Sequence, residues 1–382
     1  EFSRTLKTSA HSACSKTGWY QCLPGQPSEL TDTTESETMT VRFGVLGAGR
    51  IGKVHAKAVS ANANARLVAV ADAFADAAEA LATQYGAEVR SISQIEAASD
   101  IDAVVICTPT DTHADLIEAA VSAGKAVFCE KPVDLDAARI RRCLATVERS
   151  GRPLMIGFNR RFDPNFAALK RAFDAGDIGK GELLSVTSFD PAPPPVSYIN
   201  VSGGLFRDMA IHDFDMACWV FGGVPESVTA IGTSIVDPAI GAAGDVDTAV
   251  ITLRYADGRI AVIKNSRRAV YGYDQRLELL GATGLLQAGN VLENTVNKIT
   301  TAGATSAKPE YFFLERYMSA YAAEWRAFIE AIKTGAAYPV TLQDGVNALA
   351  VAEAAVQRAN NGGTSDNAPA ELQLAVSKLA SA

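Results

Sequence analysis

The chain is poor in the residues that build metal centres and disulfide scaffolds. It has four histidines and six cysteines in 382 residues. No two cysteines form a CxxC pair, no HExxH stretch occurs, and no carboxylate cage suggests a metal. Cys107 and Cys129 lie in apolar, strand-like runs and read as buried, reduced thiols, which points to the cytoplasm. Long apolar runs are also missing. Nothing approaches the roughly 18 residues of a membrane span, and the run at 67–71 is closed at once by Asp72. No apolar core follows a basic start, so no secretory signal is expected. Positive charge is not in excess: 35 Lys and Arg face 43 Asp and Glu, with no basic cluster. That balance argues against nucleic acid as a partner.

What is present is the composition of a globular enzyme, 48% hydrophobic and 20% charged. Residues 1–40 stand apart as Ser/Thr-rich and aperiodic, and are expected to be a disordered leader. Residues 361–382 are expected to be a tail. From Val41 the texture changes. Apolar runs at 41–46, 67–71, 103–107 and 126–129 alternate with helical stretches at 51–61, 75–85 and 114–123. Runs without alternation, separated by helices, predict a doubly wound parallel sheet covered on both faces, spanning 41–158. Beyond it, strand-like runs at 183–189, 227–236, 247–255, 259–265, 275–280 and 284–288 predict a mainly antiparallel, open sheet. Asp257-Gly258 is a hairpin signal within it. A second, α+β domain over 159–360 follows, closed by helices at 315–333 and 344–359.

Gly47-Ala48-Gly49-Arg50-Ile51-Gly52 matches GxGxxG between a strand and a helix. Gly47 permits a tight turn, Gly49 lets a pyrophosphate approach the backbone, and Gly52 lets helix and strand pack closely. Asp72, at the end of the second run, is placed to accept both ribose hydroxyls and to repel a 2′-phosphate, so NAD is expected over NADP. The alternative for Asp72 is a helix N-cap. Glu130-Lys131-Pro132 ends another strand, where an open sheet points into its ligand crevice. A lysine there can hold a substrate hydroxyl, or simply be a surface salt-bridge partner. Asp208 and His212 are four apart. A helix would put them on one face, with the carboxylate orienting a basic imidazole. A structural capping pair is the alternative.

Together these motifs resemble the glucose–fructose oxidoreductase and inositol dehydrogenase family (Gfo/Idh/MocA). The resemblance rests on GAGRIG at 47–52, Asp72, CTPTDTH at 107–113, CEKP at 129–132, GFNRRFDP at 157–164, SGGLFRDMAIHDFDM at 202–216 and YGYD at 271–274. The Pro-rich loop at 190–195 looks closest to the bacterial inositol 2-dehydrogenases. The resemblance implies an NAD-dependent dehydrogenase of a cyclic polyol, with inositol foremost. Another inositol isomer, an aldose, or a catalytically silent NAD-binding regulator are the alternatives. It also implies that His212 is the general base, Asp208 its partner and Lys131 the group that supports proton transfer. Arg161 and Tyr273 would be lesser substrate contacts. Arg50, Ile51, Thr108, Pro109, His113 and Glu130 would line the cofactor, and open sheets would pack into a homotetramer.

Overall fold

The computed structural model describes residues 39–360, so all but the end of the expected leader and the whole expected tail lie outside the described residues. The uninterrupted apolar runs become parallel strands: β1 Val41–Leu46, β2 Ala65–Ala71, β3 Glu88–Val89, β4 Ala103–Ile106, β5 Ala126–Cys129 and β6 Leu154–Ile156. Their order is β3-β2-β1-β4-β5-β6. Every position of β4 and β5 is buried, because helices cover both faces and leave no solvent side to demand alternation. The helices Arg50–Ser60 and His113–Ser122 start within a residue of the expected bounds. The order reverses between β1 and β4, so the loops leaving these two strands part at the carboxyl edge and open a crevice.

The second sheet contains β7 Gly181–Phe189, β8 Ser227–Thr233, β9 Thr248–Arg254, β10 Ile260–Ser266, β11 Asp274–Gly281 and β12 Gly284–Ala288. They lie in the order β12-β11-β7-β10-β9-β8. All neighbours are antiparallel except β7 and β10, which run parallel at its centre. Gly258, at φ 90°, turns β9 into β10 as expected. Alternation is clean here. Ala249, Ile251 and Leu253 are buried and join a core with Phe214, Val220 and Val351 from the helices Ile211–Phe221 and Leu342–Asn360, while Val250 and Arg254 face outward. An exposed hairpin, β13 Asn297–Thr300 with β14 Gly303–Ser306, was not legible because its polar residues carry no period.

The expected linear division at residue 158 is crossed by the end of the chain. The helix Met318–Thr334 puts Trp325, Phe328 and Ile329 into the core of the parallel sheet. Trp325 stacks on Phe128 at 4.9 Å and meets Phe43 edge-on at 5.3 Å. Truncating such a buried aromatic costs about 3–5 kcal/mol.

Glu324, beside it, is fully buried, and neither carboxylate oxygen has a partner. Burial, helped by the nearby Glu130 charge, raises its pKa well above 4.5. The stability it permits is therefore full below the ordinary carboxylate value and declines as pH rises toward the folded one. Glu324→Gln should raise the melting temperature more at pH 8 than at pH 5, by an amount worth on the order of 1–3 kcal/mol. Equal melting curves at both pH values would contradict this.

Candidate active site

Two of the three fingerprint glycines are required by the fold itself. Gly47 sits at φ 100°, and a Cβ there would lie 2.5 Å from the Cys107 carbonyl oxygen. A Cβ on Gly52 would lie 1.9 Å from the Gly47 carbonyl oxygen. Gly49 differs: a Cβ there would meet nothing within 4 Å. Its bareness keeps space clear at the start of the helix Arg50–Ser60, which no side chain caps and no acidic residue occupies. Free N–H groups facing open space suit a pyrophosphate. Arg50 and Ile51 open that helix. Asp72 closes the cradle from β2, its Oδ2 accepting from Ala48 N at 2.6 Å and its Oδ1 from Phe74 N at 2.8 Å. Phe74, not Asp72, caps the next helix, so the N-cap alternative does not apply.

The loops after β4 and β5 are locked together. His113 is buried, with Nδ1 2.8 Å from the Pro132 carbonyl oxygen and Nε2 2.8 Å from that of Thr108. Thr108 Oγ1 also meets Thr112 Oγ1 at 2.6 Å, and Pro109 leads into the short 3-10 turn between them. His113 is thus a brace behind the crevice wall. Glu130 is likewise turned inward, 2.6 Å from His55 Nε2. The Lys131–Pro132 peptide is cis.

Lys131 itself reaches across to Asp208, outside the parallel sheet. Its Nζ donates to the Asp208 carbonyl oxygen at 2.9 Å and to Asp208 Oδ1 at 3.2 Å. Tyr198 Oη donates to the same Oδ1 at 3.0 Å, from the helix Val196–Ser202. Asp208 belongs to a π-helical turn, Leu205–Met209, in which Ala210 N–H bonds back five residues to Leu205 O at 2.9 Å. The turn is anchored by Asp245, whose carboxylate accepts from Leu205 N at 3.0 Å. A Cβ on Gly204 would strike that carboxylate at 2.6 Å, which explains the glycine.

The π turn corrects one expectation. No Asp208–His212 hydrogen bond forms, because the widened turn breaks the four-residue stacking and the carboxylate is taken by Lys131 and Tyr198. His212 Nδ1 is buried without a partner, and the ring rests edge-on against Phe158 at 5.9 Å. Nε2 is left as the ring atom open to a substrate.

Two expected contacts are placed elsewhere. Arg161 is buried, giving Nη2 to Asp215 Oδ1 at 2.6 Å and to Asp344 Oδ1 at 2.9 Å. Tyr273 is buried edge-on to Phe312 and Tyr317, at 6.1 and 5.9 Å. The GFNRRFDP motif is built for packing: Arg160 pairs with Asp213, and Asp163 with Arg316, all of them buried.

A profile described as an oxidoreductase family with an NAD-binding Rossmann fold, GFO/IDH/MocA, matches residues 41–158. The GFO/IDH/MocA C-terminal domain matches residues 166–287. The chain belongs to the GFO/IDH/MocA oxidoreductase family. It is 59% identical over 319 residues to an inositol 2-dehydrogenase of Rhizobium meliloti, covering 84% of this chain and 97% of that one. To a myo-inositol 2-dehydrogenase of Thermotoga maritima it is 46% identical, covering 82% and 95%. A crystal structure of scyllo-inositol dehydrogenase from Lactobacillus casei, with bound cofactor NAD(H) and scyllo-inositol, superposes with a TM-score of 0.79 at 31% identity, covering 85% and 97%.

As a GFO/IDH/MocA oxidoreductase, the chain carries an NAD-binding Rossmann domain, and the cradle around Gly49 fits that cofactor. Sequence reasoning missed Tyr198 as the second hand on Asp208, since an exposed tyrosine ten residues upstream carries no local signal. It also missed His55 and Trp325 behind Glu130, which only the fold brings together.

Burial, with the Lys131 and Arg160 cations nearby, pushes the His212 imidazole well below its ordinary value of 6.5, so it is neutral. Removing one cation relieves part of that penalty. In Lys131→Met the His212 ring should titrate at higher pH than in the wild type, read by NMR of the imidazole resonances. An unmoved or lowered titration would show that the two groups do not sense each other.

Proposed function

We propose that the chain oxidises a secondary ring hydroxyl of a cyclic polyol to the ketone, with NAD as oxidant and myo-inositol, giving 2-keto-myo-inositol, as the foremost substrate. The observation that carries this reading is the meeting of Lys131 Nζ with Asp208 at the carboxyl edge of the parallel sheet, beside a neutral His212. The named relatives supply the substrate class. Gly47, Gly49, Gly52 and Asp72 would hold NAD, which would supply the hydride acceptor for the carbinol carbon. His212 Nε2 receives the hydroxyl proton, which a neutral imidazole can do and an imidazolium cannot. The Lys131 ammonium holds the oxygen and offsets the negative charge that develops as the proton leaves. Asp208, fixed by Tyr198, keeps that ammonium aimed. Residues 41–158 serve the cofactor and 159–360 the substrate and self-association, in the cytoplasm, where the buried and unpaired Cys107, Cys129, Cys143 and Cys218 stay reduced.

His212→Ala should lose turnover by about 10²–10⁴-fold with NAD affinity largely retained by calorimetry. Wild-type rates would refute the base assignment. NADH formation across myo-, scyllo- and chiro-inositol and a set of aldoses decides the substrate. A preference for an aldose would displace inositol, and no turnover on any would favour a regulatory NAD-binding protein.

We also propose that the outer face of the second sheet carries the contact of a homotetramer. Leu285, Leu280, Leu183 and Ile260 are register neighbours on four adjacent strands, all exposed. Such a rung of aliphatic side chains left in water is unusual for a free surface. Leu280→Glu should shift sedimentation toward smaller species with the fold intact by circular dichroism, and an unchanged tetramer would move the interface elsewhere. A wild-type chain that sediments as a monomer would end the proposal.

A further inference from the structure

Behind the catalytic edge lies a buried chain of hydrogen bonds that the reaction itself does not use. Trp325 Nε1 donates to His55 Nδ1 at 2.9 Å. An indole N–H can only donate, so Nδ1 is the acceptor and Nε2 bears the ring hydrogen. That hydrogen points at Glu130 Oε1, 2.6 Å away. The other carboxylate oxygen, Oε2, accepts from the backbone N–H of Lys131 at 3.3 Å. His55 is fully buried and Glu130 nearly so. Phe128 and Tyr321 hold the imidazole ring, at 4.9 and 5.5 Å.

The three residues come from three places: the helix that opens on Gly49, the end of β5, and the helix Met318–Thr334. The chain ends on the peptide nitrogen of the residue whose side chain must reach Asp208.

We propose that His55 is a positioning residue for Lys131, acting through Glu130 in the tautomer that Trp325 imposes. This rests on the reading of Lys131 given above. A nearly buried carboxylate deprived of its imidazole donor keeps only the longer bond to Lys131 N, since the nearby Glu324 makes no hydrogen bond to it. The carboxylate then reorients, and the start of the lysine side chain moves with it. A displacement of about 1 Å at a reacting group is enough to cost roughly 100-fold in rate. The cradle around Gly49 is built by different atoms, so NAD binding is not expected to follow.

The test compares His55→Leu, His55→Gln, Trp325→Phe and Lys131→Ala in the full chain with myo-inositol and NAD. It measures kcat, both KM values, NAD Kd by calorimetry, and thermal unfolding. His55→Leu should lower kcat by about 10- to 100-fold while both KM values and the NAD Kd stay within roughly 2-fold. His55→Gln restores an N–H near the Nε2 position and should recover kcat to within about 5-fold of wild type. Trp325→Phe keeps the ring but frees the tautomer, and should lower kcat by about 3- to 10-fold. Wild-type kcat in His55→Leu, or a His55→Gln no better than His55→Leu, overturns the proposal. If His55→Leu does not fold, wild-type kcat in Trp325→Phe does the same. Lys131→Ala separates the two levels. Wild-type turnover there removes the reading of Lys131 itself, whereas a dead Lys131→Ala beside an unaffected His55→Leu removes only the role of His55.

Discussion

One ammonium group joins the two halves of this site. Lys131 leaves the end of β5 and meets both the carbonyl and the carboxylate of Asp208 in the π turn Leu205–Met209. Each half is incomplete alone. The parallel sheet supplies the Gly49 cradle and the ammonium, and the helix Ile211–Phe221 supplies the imidazole. The contact also sets the electrostatics, because the cation that grips Asp208 helps keep His212 uncharged. The geometry therefore replaces the expected carboxylate–imidazole couple with a different division of labour. The carboxylate bonds the lysine, and the histidine ring is left without a hydrogen bond to it.

Much of this could be read from the residues in order. The GxGxxG loop, Asp72 and Lys131 were legible because strand, turn and helix are local patterns, and their chemistry sits at strand ends by rule. What escaped was set by tertiary geometry. Asp208 and His212 have the spacing of an α-helix, yet a π turn between them sends the carboxylate elsewhere. Arg161 looked like a substrate contact because charge beside a motif invites that reading. Only the fold shows Asp215 and Asp344 waiting for it. β6, with three residues, is too short for any period to register. The parallel pairing of β7 and β10 joins strands that are remote in sequence, and no pattern announces it.

The GFNRRFDP segment shows how buried charge gives a fold its uniqueness. Its two arginines and its aspartate each find a buried opposite charge from another element. Buried pairs of this kind contribute little net stability, since desolvation offsets the attraction. They do penalise any arrangement that parts them. They therefore fix how the helix carrying His212 lies relative to the strand ends, which a purely apolar contact would leave freer to slide.

The helix Met318–Thr334 completes the core of a sheet whose strands begin nearly three hundred residues earlier. On the ribosome, Phe43 and Phe128 emerge long before Trp325 can cover them. The nascent nucleotide-binding half must then wait with an aromatic seam uncovered, a stretch in which chaperones are the natural guardians. The same delay has an advantage. The indole that sets the His55 tautomer arrives last, so a product cut short before it lacks the donor that fixes that ring.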